Sequence, residues 1–213
     1  MVVSKLGAAV VVRERHDSID ASFIPGDFLT ETGRYLFGYS VDGGPAEVID
    51  LEHGREIPGG IIAALTDPSV AKWAFNASFE RICLSRMLGL PPGTYLDPAQ
   101  WRCSMVWAAS LSLPLALKNA ALVLKTGEQK DRAGEALIRY FSIPCKPTKT
   151  NGGRTRNLPE HDPEGWQTFK DYCIQDVRTE RDIRYRLEAL PIPDHEWDYY
   201  HMDQRINDRG VMI

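Results

Sequence analysis

Residues 73–84 read WAFNASFERICL. The segment before and into it, VAKWAFN over 70–76, is mostly apolar and therefore predicts a central strand. At Ala77 the period changes. Phe79, Ile82, Cys83, Arg86 and Met87 fall at i, i+3, i+4, i+7 and i+8, a helical stripe with one Arg in it. An amide, Asn76, and an acid, Glu80, thus stand one helical turn apart at a strand-to-helix junction. Each has a plain reading and a chemical one. Asn before a helix is a favoured N-cap, although position 79, where a capping box would want Glu or Gln, is Phe. Glu80 is equally a first-turn acid favoured by the helix dipole. The other reading is that the junction presents both side chains to a ligand.

Working outward, the first third of the chain holds strand-like runs at 7–13 (GAAVVVR), 34–40 (RYLFGYS) and 46–51 (AEVIDL), the last two joined by DGG. A helix is predicted over 58–68. Further helices are predicted over 98–111, 115–125, 132–142 and 164–190, the last opening after Asp162 and Pro163. Strands first and helices later predict an α/β or α+β domain with helices on a mixed sheet.

With 213 residues, 43% hydrophobic and 25% charged, the chain can bury one sizeable core. It lacks the run of about 18 apolar residues that a membrane span needs, and its opening lacks a small-residue cleavage site, so a cytoplasmic protein with no membrane partner is expected. The four cysteines are far apart with no C-x-x-C pair, which points to reduced thiols. A net charge of −4 excludes a general basic coat for nucleic acid but not local phosphate-binding patches.

One such patch is CKPTKTNGGRTRNLP, 145–159, where Lys146, Lys149, Arg154 and Arg156 stand without an acid among Pro, Gly, Asn and Thr. It reads either as a solvated connection or as a mobile arm on phosphates. On the long helix, Tyr172 and Asp176 are four apart and share a face. Tyr172 in the core with a solvated Asp176 is one reading; a phenol and a carboxylate aimed at one spot is the other.

Together, N-x-x-F-E at 76–80 and Y-x-x-x-D at 172–176 resemble the second and third motifs of the DEDD 3′–5′ exonucleases. Stretches such as LFGYSVDGGPAEVIDL, KWAFNASFERICLSRMLGLP and MDQRINDRGVMI are similar to the proofreading domain of phage-type family A DNA polymerases. The resemblance implies an RNase H-like α/β fold, two Mg²⁺ or Mn²⁺ ions about 4 Å apart, and a DNA 3′ end or single-stranded DNA as substrate. It also implies Glu80 and Asp176 as metal ligands, Tyr172 as the residue orienting the attacking water, and Asn76 and Phe79 as contacts to the terminal nucleotide. The family's first motif, D-x-E-T, is missing. Asp20 fits its first acid, completing a catalytic set of Asp20, Glu80, Tyr172 and Asp176, but Ser22 stands where a Glu is expected. Spacing gives no reason to choose among Asp17, Asp27 and Glu31 as a replacement. Residues 1–190 are expected to form the exonuclease-like domain. Residues 191–213 are expected to lead toward a polymerase domain, absent here or supplied in trans. An inactive DNA-binding fragment or decayed gene product of the same fold is the alternative.

Overall fold

The structure, a computed structural model, describes residues 7–13 as backbone, and residues 36–126, 132–142 and 144–210. Five strands form one mixed sheet: β1 (Gly7–Arg13), β2 (Leu36–Val41), β3 (Glu47–Asp50), β4 (Ala71–Ala74) and β5 (Trp101–Cys103), in the order β3-β2-β1-β4-β5. Strands β1, β2 and β3 are antiparallel neighbours, with Val11 opposite Gly38 and Leu36 opposite Asp50. On the other side β4 runs parallel to β1, and β5 parallel to β4, with Ala9 opposite Trp73 and Ala74 opposite Cys103. The expected meander is present. The turn between β2 and β3 places Asp42 and Gly43 at φ 49° and 75°, and Gly44 N donates to Val41 O at 2.8 Å. Two positive φ angles in a row match the right-handed twist of a hairpin.

Seven helices are described: α1 (Gly59–Thr66), α2 (Ala77–Met87), α3 (Ser104–Ser110), α4 (Leu117–Val123), α5 (Arg132–Ser142), α6 (Pro163–Leu187) and α7 (Asp194–Arg209). They form layers on both faces of the sheet because β2 is buried on both. Phe37 and Tyr39 point into a cluster with Leu65, Ala77, Leu84 and Trp101. Leu36 points the other way, into a cluster with Phe141, Trp166, Phe169, Tyr172, Cys173 and Val177. Helix α6 lies so close to the sheet that a Cβ on Gly38 would come within 2.8 Å of Cys173 Sγ and 2.9 Å of Val177 Cγ2. Only glycine fits there. As expected, Asp162 caps α6, accepting from Gly165 N at 2.9 Å.

The expected helix over 98–111 is corrected. Asp97 caps a single 3-10 turn at 98–100, the chain then forms β5, and α3 starts only at Ser104. Three residues, Trp101–Cys103, are too few to show a strand period. Their identity as a strand comes from the ladder that β4 offers, a tertiary cause.

Helix α7 docks on the same core. Tyr200 joins the cluster around Phe37 and Trp101. Arg81 of α2, buried at 1% exposure, grips Asp208 with two hydrogen bonds of 2.9 and 2.6 Å. His201 Nε2 lies 3.0 Å from Trp101 O. No helix among the described residues is long and apolar enough to cross a membrane.

Candidate metal and nucleic-acid site

Parallel strands β1 and β4 end at one edge of the sheet, and the strand order reverses direction between them, since β1 continues outward to β2 while β4 continues to β5. Open sheets with helices on both faces form their binding crevices at such an edge. The β1–β4 ladder stops at Ala9 opposite Trp73. Asn76 and α2 therefore continue alongside the second half of β1, which α2 touches. From the opposite face α6 also touches β1. Its Cys173 and Val177 lie against Gly38, the partner of Val11. Asp176, between them on α6, is thus at the level of the second half of β1 too.

Both acids are hidden from water. Glu80 is 5% exposed and Asp176 is 1% exposed. The solvated Asp176 is therefore corrected, since its carboxylate belongs to the buried stripe of α6; Glu80 is a first-turn acid of α2, as expected, and it is buried. Tyr172, one turn before Asp176, is buried in the α6-side cluster.

Asn76 departs from the capping reading. It occupies the N-cap position of α2, yet its side chain makes no capping hydrogen bond and its backbone is left-handed, at φ 77° and ψ 49°. Asn tolerates this region better than most residues. The residue is exposed, and Phe79, whose N–H is held by Asn76 O at 2.9 Å, is half-buried. The junction leaves an amide and part of an aromatic face open to solvent.

The basic segment has no helix or strand, as expected, but it is tied internally. Asn151 binds Thr148 N at 2.8 Å, Lys146 O at 2.9 Å, Gly153 N at 3.1 Å and Arg154 O at 3.3 Å. Cys145 N donates to Thr155 O at 2.7 Å, and buried Asn157 anchors the base to α5 by donating to Tyr140 O at 2.9 Å. Lys146 and Lys149 are exposed; Arg154 and Arg156 are half-buried, and Arg154 Nε donates to Asn157 Oδ1 at 3.0 Å.

Asp20, with Asp17, Asp27 and Glu31, lies outside the described residues. Among the described residues no group of three or more His, Cys, Asp or Glu side chains is arranged to hold a metal. Glu80 and Asp176 are hard oxygen donors of the kind Mg²⁺ and Mn²⁺ select, so their chemistry fits such an ion. By themselves they are too few for two ions.

Sequence reasoning missed Glu180, a further buried acid one turn beyond Asp176. It is fully buried and accepts from Ser104 Oγ at 2.9 Å. Burial pushes its pKa up to about 7, against the pull of Ser104, Arg184 and Arg181. No local signal set it apart, because the buried stripe of α6 also holds Asp176 and Thr179.

No protein-family model matches the chain. It is 52% identical over 178 residues to the DNA polymerase of Bacillus phage SP02, an alignment covering 84% of this chain and 27% of that protein. The chain therefore spans about a quarter of that relative's length. Among solved structures it resembles the apo form of a nuclease, with a TM-score of 0.56 and 14% identity over 93% of this chain and 79% of the other. It also resembles RNase D of Escherichia coli, an exoribonuclease involved in structured RNA processing, with a TM-score of 0.56 and 16% identity over 99% of this chain and 47% of the other. The expected RNase H-like α/β fold is borne out by these likenesses. Over most of its length the chain is a homologue of a phage DNA polymerase, built on the fold of RNase D-type nucleases.

Proposed function

We propose that the chain is the 3′–5′ exonuclease domain of a phage-type family A DNA polymerase, hydrolysing phosphodiester bonds at DNA 3′ ends with Mg²⁺ or Mn²⁺. One observation carries this reading: in a homologue of a DNA polymerase, two carboxylates, Glu80 and Asp176, are buried on helices that approach one strand from opposite faces. Carboxylate oxygens are the hard donors that Mg²⁺ and Mn²⁺ select. Glu80 and Asp176 would hold a divalent ion, with Asp20 as the further expected donor. Such an ion supplies the positive charge that lowers the pKa of a water and stabilises the departing 3′ oxygen.

The remaining steps belong to the chain's own side chains. The Tyr172 phenol orients the attacking water. Asn76 and Phe79, at the solvent-facing end of the junction, place the terminal nucleotide by amide hydrogen bonding and by stacking. Lys146, Lys149, Arg154 and Arg156 contact phosphates of the strand. Residues 191–213 form the segment that leads toward a polymerase body, in cis or in trans.

The test is degradation of a 5′-labelled single strand with Mn²⁺, comparing the natural chain with Asp176→Ala. The natural chain shortens the strand from its 3′ end. The variant is slower by about 10² to 10⁴, the usual cost of losing a catalytic group. Equal degradation by both sinks the reading. A second reading, a catalytically silent DNA-binding fragment, draws on Ser22 standing where the first motif would carry a Glu. It expects single-strand binding without divalent metal that falls with salt and is weakened by neutralising Lys146 and Arg154.

A further inference from the structure

We propose that Glu180 and Ser104 are positioning residues, which lock helix α6 to the end of strand β4 so that Asp176 and Glu80 keep a fixed separation. The inference rests on the exonuclease reading above. Ser104 opens α3 directly after β5 and is fully buried. Its hydroxyl lies 2.9 Å from Glu180 Oε1 and 3.3 Å from Ala74 O. Ala74 is the last residue of β4, two before Asn76 and six before Glu80. Glu180 is one turn past Asp176 on the same buried stripe. One hydroxyl therefore touches the strand that launches Glu80 and the helix that carries Asp176.

The chemistry of the stripe explains why a carboxyl is informative here. Its neighbours Cys173, Val177, Ile183 and Leu187 are apolar and buried. An apolar stripe holds a helix against a sheet but resists sliding along its axis weakly, because dispersion contacts are many and individually small. A hydrogen bond to a fixed hydroxyl is directional and sets the axial position. A leucine at 180 would fill the stripe without the desolvation cost of a carboxyl. That cost is accepted, although Oε2 of Glu180 has no hydrogen-bond partner among the described residues. The bond to Ser104 is what distinguishes Glu180 from an apolar filler.

The experiment measures Mn²⁺ binding by electron paramagnetic resonance of the free ion, alongside Mg²⁺-dependent hydrolysis of single-stranded DNA, on the full chain. Variants are Glu180→Leu, Ser104→Ala, Glu180→Gln and Asp176→Ala, each first checked for a cooperative unfolding transition. Glu180→Leu and Ser104→Ala are expected to weaken Mn²⁺ about tenfold and to lower kcat with KM for DNA unchanged. Glu180→Gln, which keeps an oxygen for the Ser104 hydroxyl, is expected to stay within about twofold of the natural chain. Wild-type Mn²⁺ affinity in both Glu180→Leu and Ser104→Ala, with binding lost in Asp176→Ala, overturns the positioning role and leaves the exonuclease reading standing. Binding that survives Asp176→Ala, or a natural chain that binds no Mn²⁺, overturns both. Where Glu180→Leu fails to fold, Ser104→Ala decides alone, since it removes a single oxygen.

Discussion

Two neighbouring parallel strands run into helices at the same edge of the sheet, and they do so differently. Between β4 and α2 the chain bends through Asn76, left-handed and exposed. Between β5 and α3 there is no connector: Cys103 is extended at φ −109° and ψ 108°, and buried Ser104 is already helical. Neither helix start has a side-chain cap. The bent junction delivers an amide, an aromatic ring and an acid within one turn. The straight one delivers a hydroxyl to the interior. Backbone strain at an exposed residue is a pointer to function, whereas a relaxed buried junction serves the frame that holds the first in place.

Arg81 anchors the helix of the bent junction to α7. Arg81→Ala leaves the half-buried Asp208 without its bidentate partner and is expected to cost about 2 to 3 kcal/mol, the upper range for hydrogen bonds between charged groups. Denaturant unfolding checks this, and a loss under about 1 kcal/mol would place the pair among ordinary surface bridges.

The straight junction answers to pH. Glu180 titrates near 7 in the folded chain against 4.5 as its ordinary value. Between those values the native state holds a proton that the unfolded chain has released, so stability declines as pH rises through that window. The full difference is about 3 kcal/mol, reached above pH 7. Glu180→Gln lacks this loss, so the stability difference between variant and natural chain is expected to grow from pH 5 to pH 8. A difference that stays flat with pH would show that Glu180 is not buried as its position implies.

The smallest effect sharpens the contrast. Asn76→Gly relieves a left-handed residue and is expected to stabilise the fold by up to about 1 kcal/mol while slowing hydrolysis. Cys103→Gly, at the extended junction, relieves no strain, loosens a strand and removes a buried core side chain, so it destabilises by more than that. Thermal unfolding of the pair reads both signs, and equal signs would mean that the two junctions do not differ in strain.

How far this was legible in the sequence follows from the physics of each part. Strands β1 to β4 and helix α6 carry their own period and punctuation, and the structure places them where the sequence did, within a few residues. Strand β5 does not, because three residues have no measurable period. The acids at 80 and 176 were singled out by motif spacing, which carries no information on burial; the structure adds that both are hidden from water. Asn76 misled, since the residue type that caps helices also tolerates left-handed backbone. Glu180 was invisible because its partner, Ser104, is 76 residues away, and no local rule connects them.

The grip of Arg81 on Asp208 has a mechanical consequence. Arg81 follows Glu80 directly in α2, and Asp208 stands near the end of α7. A pull or twist applied along residues 194–209 reaches the turn that bears Glu80 through a guanidinium clamp, with no soft linker between. Helix α7 is thereby a handle whose displacement the carboxylate must feel.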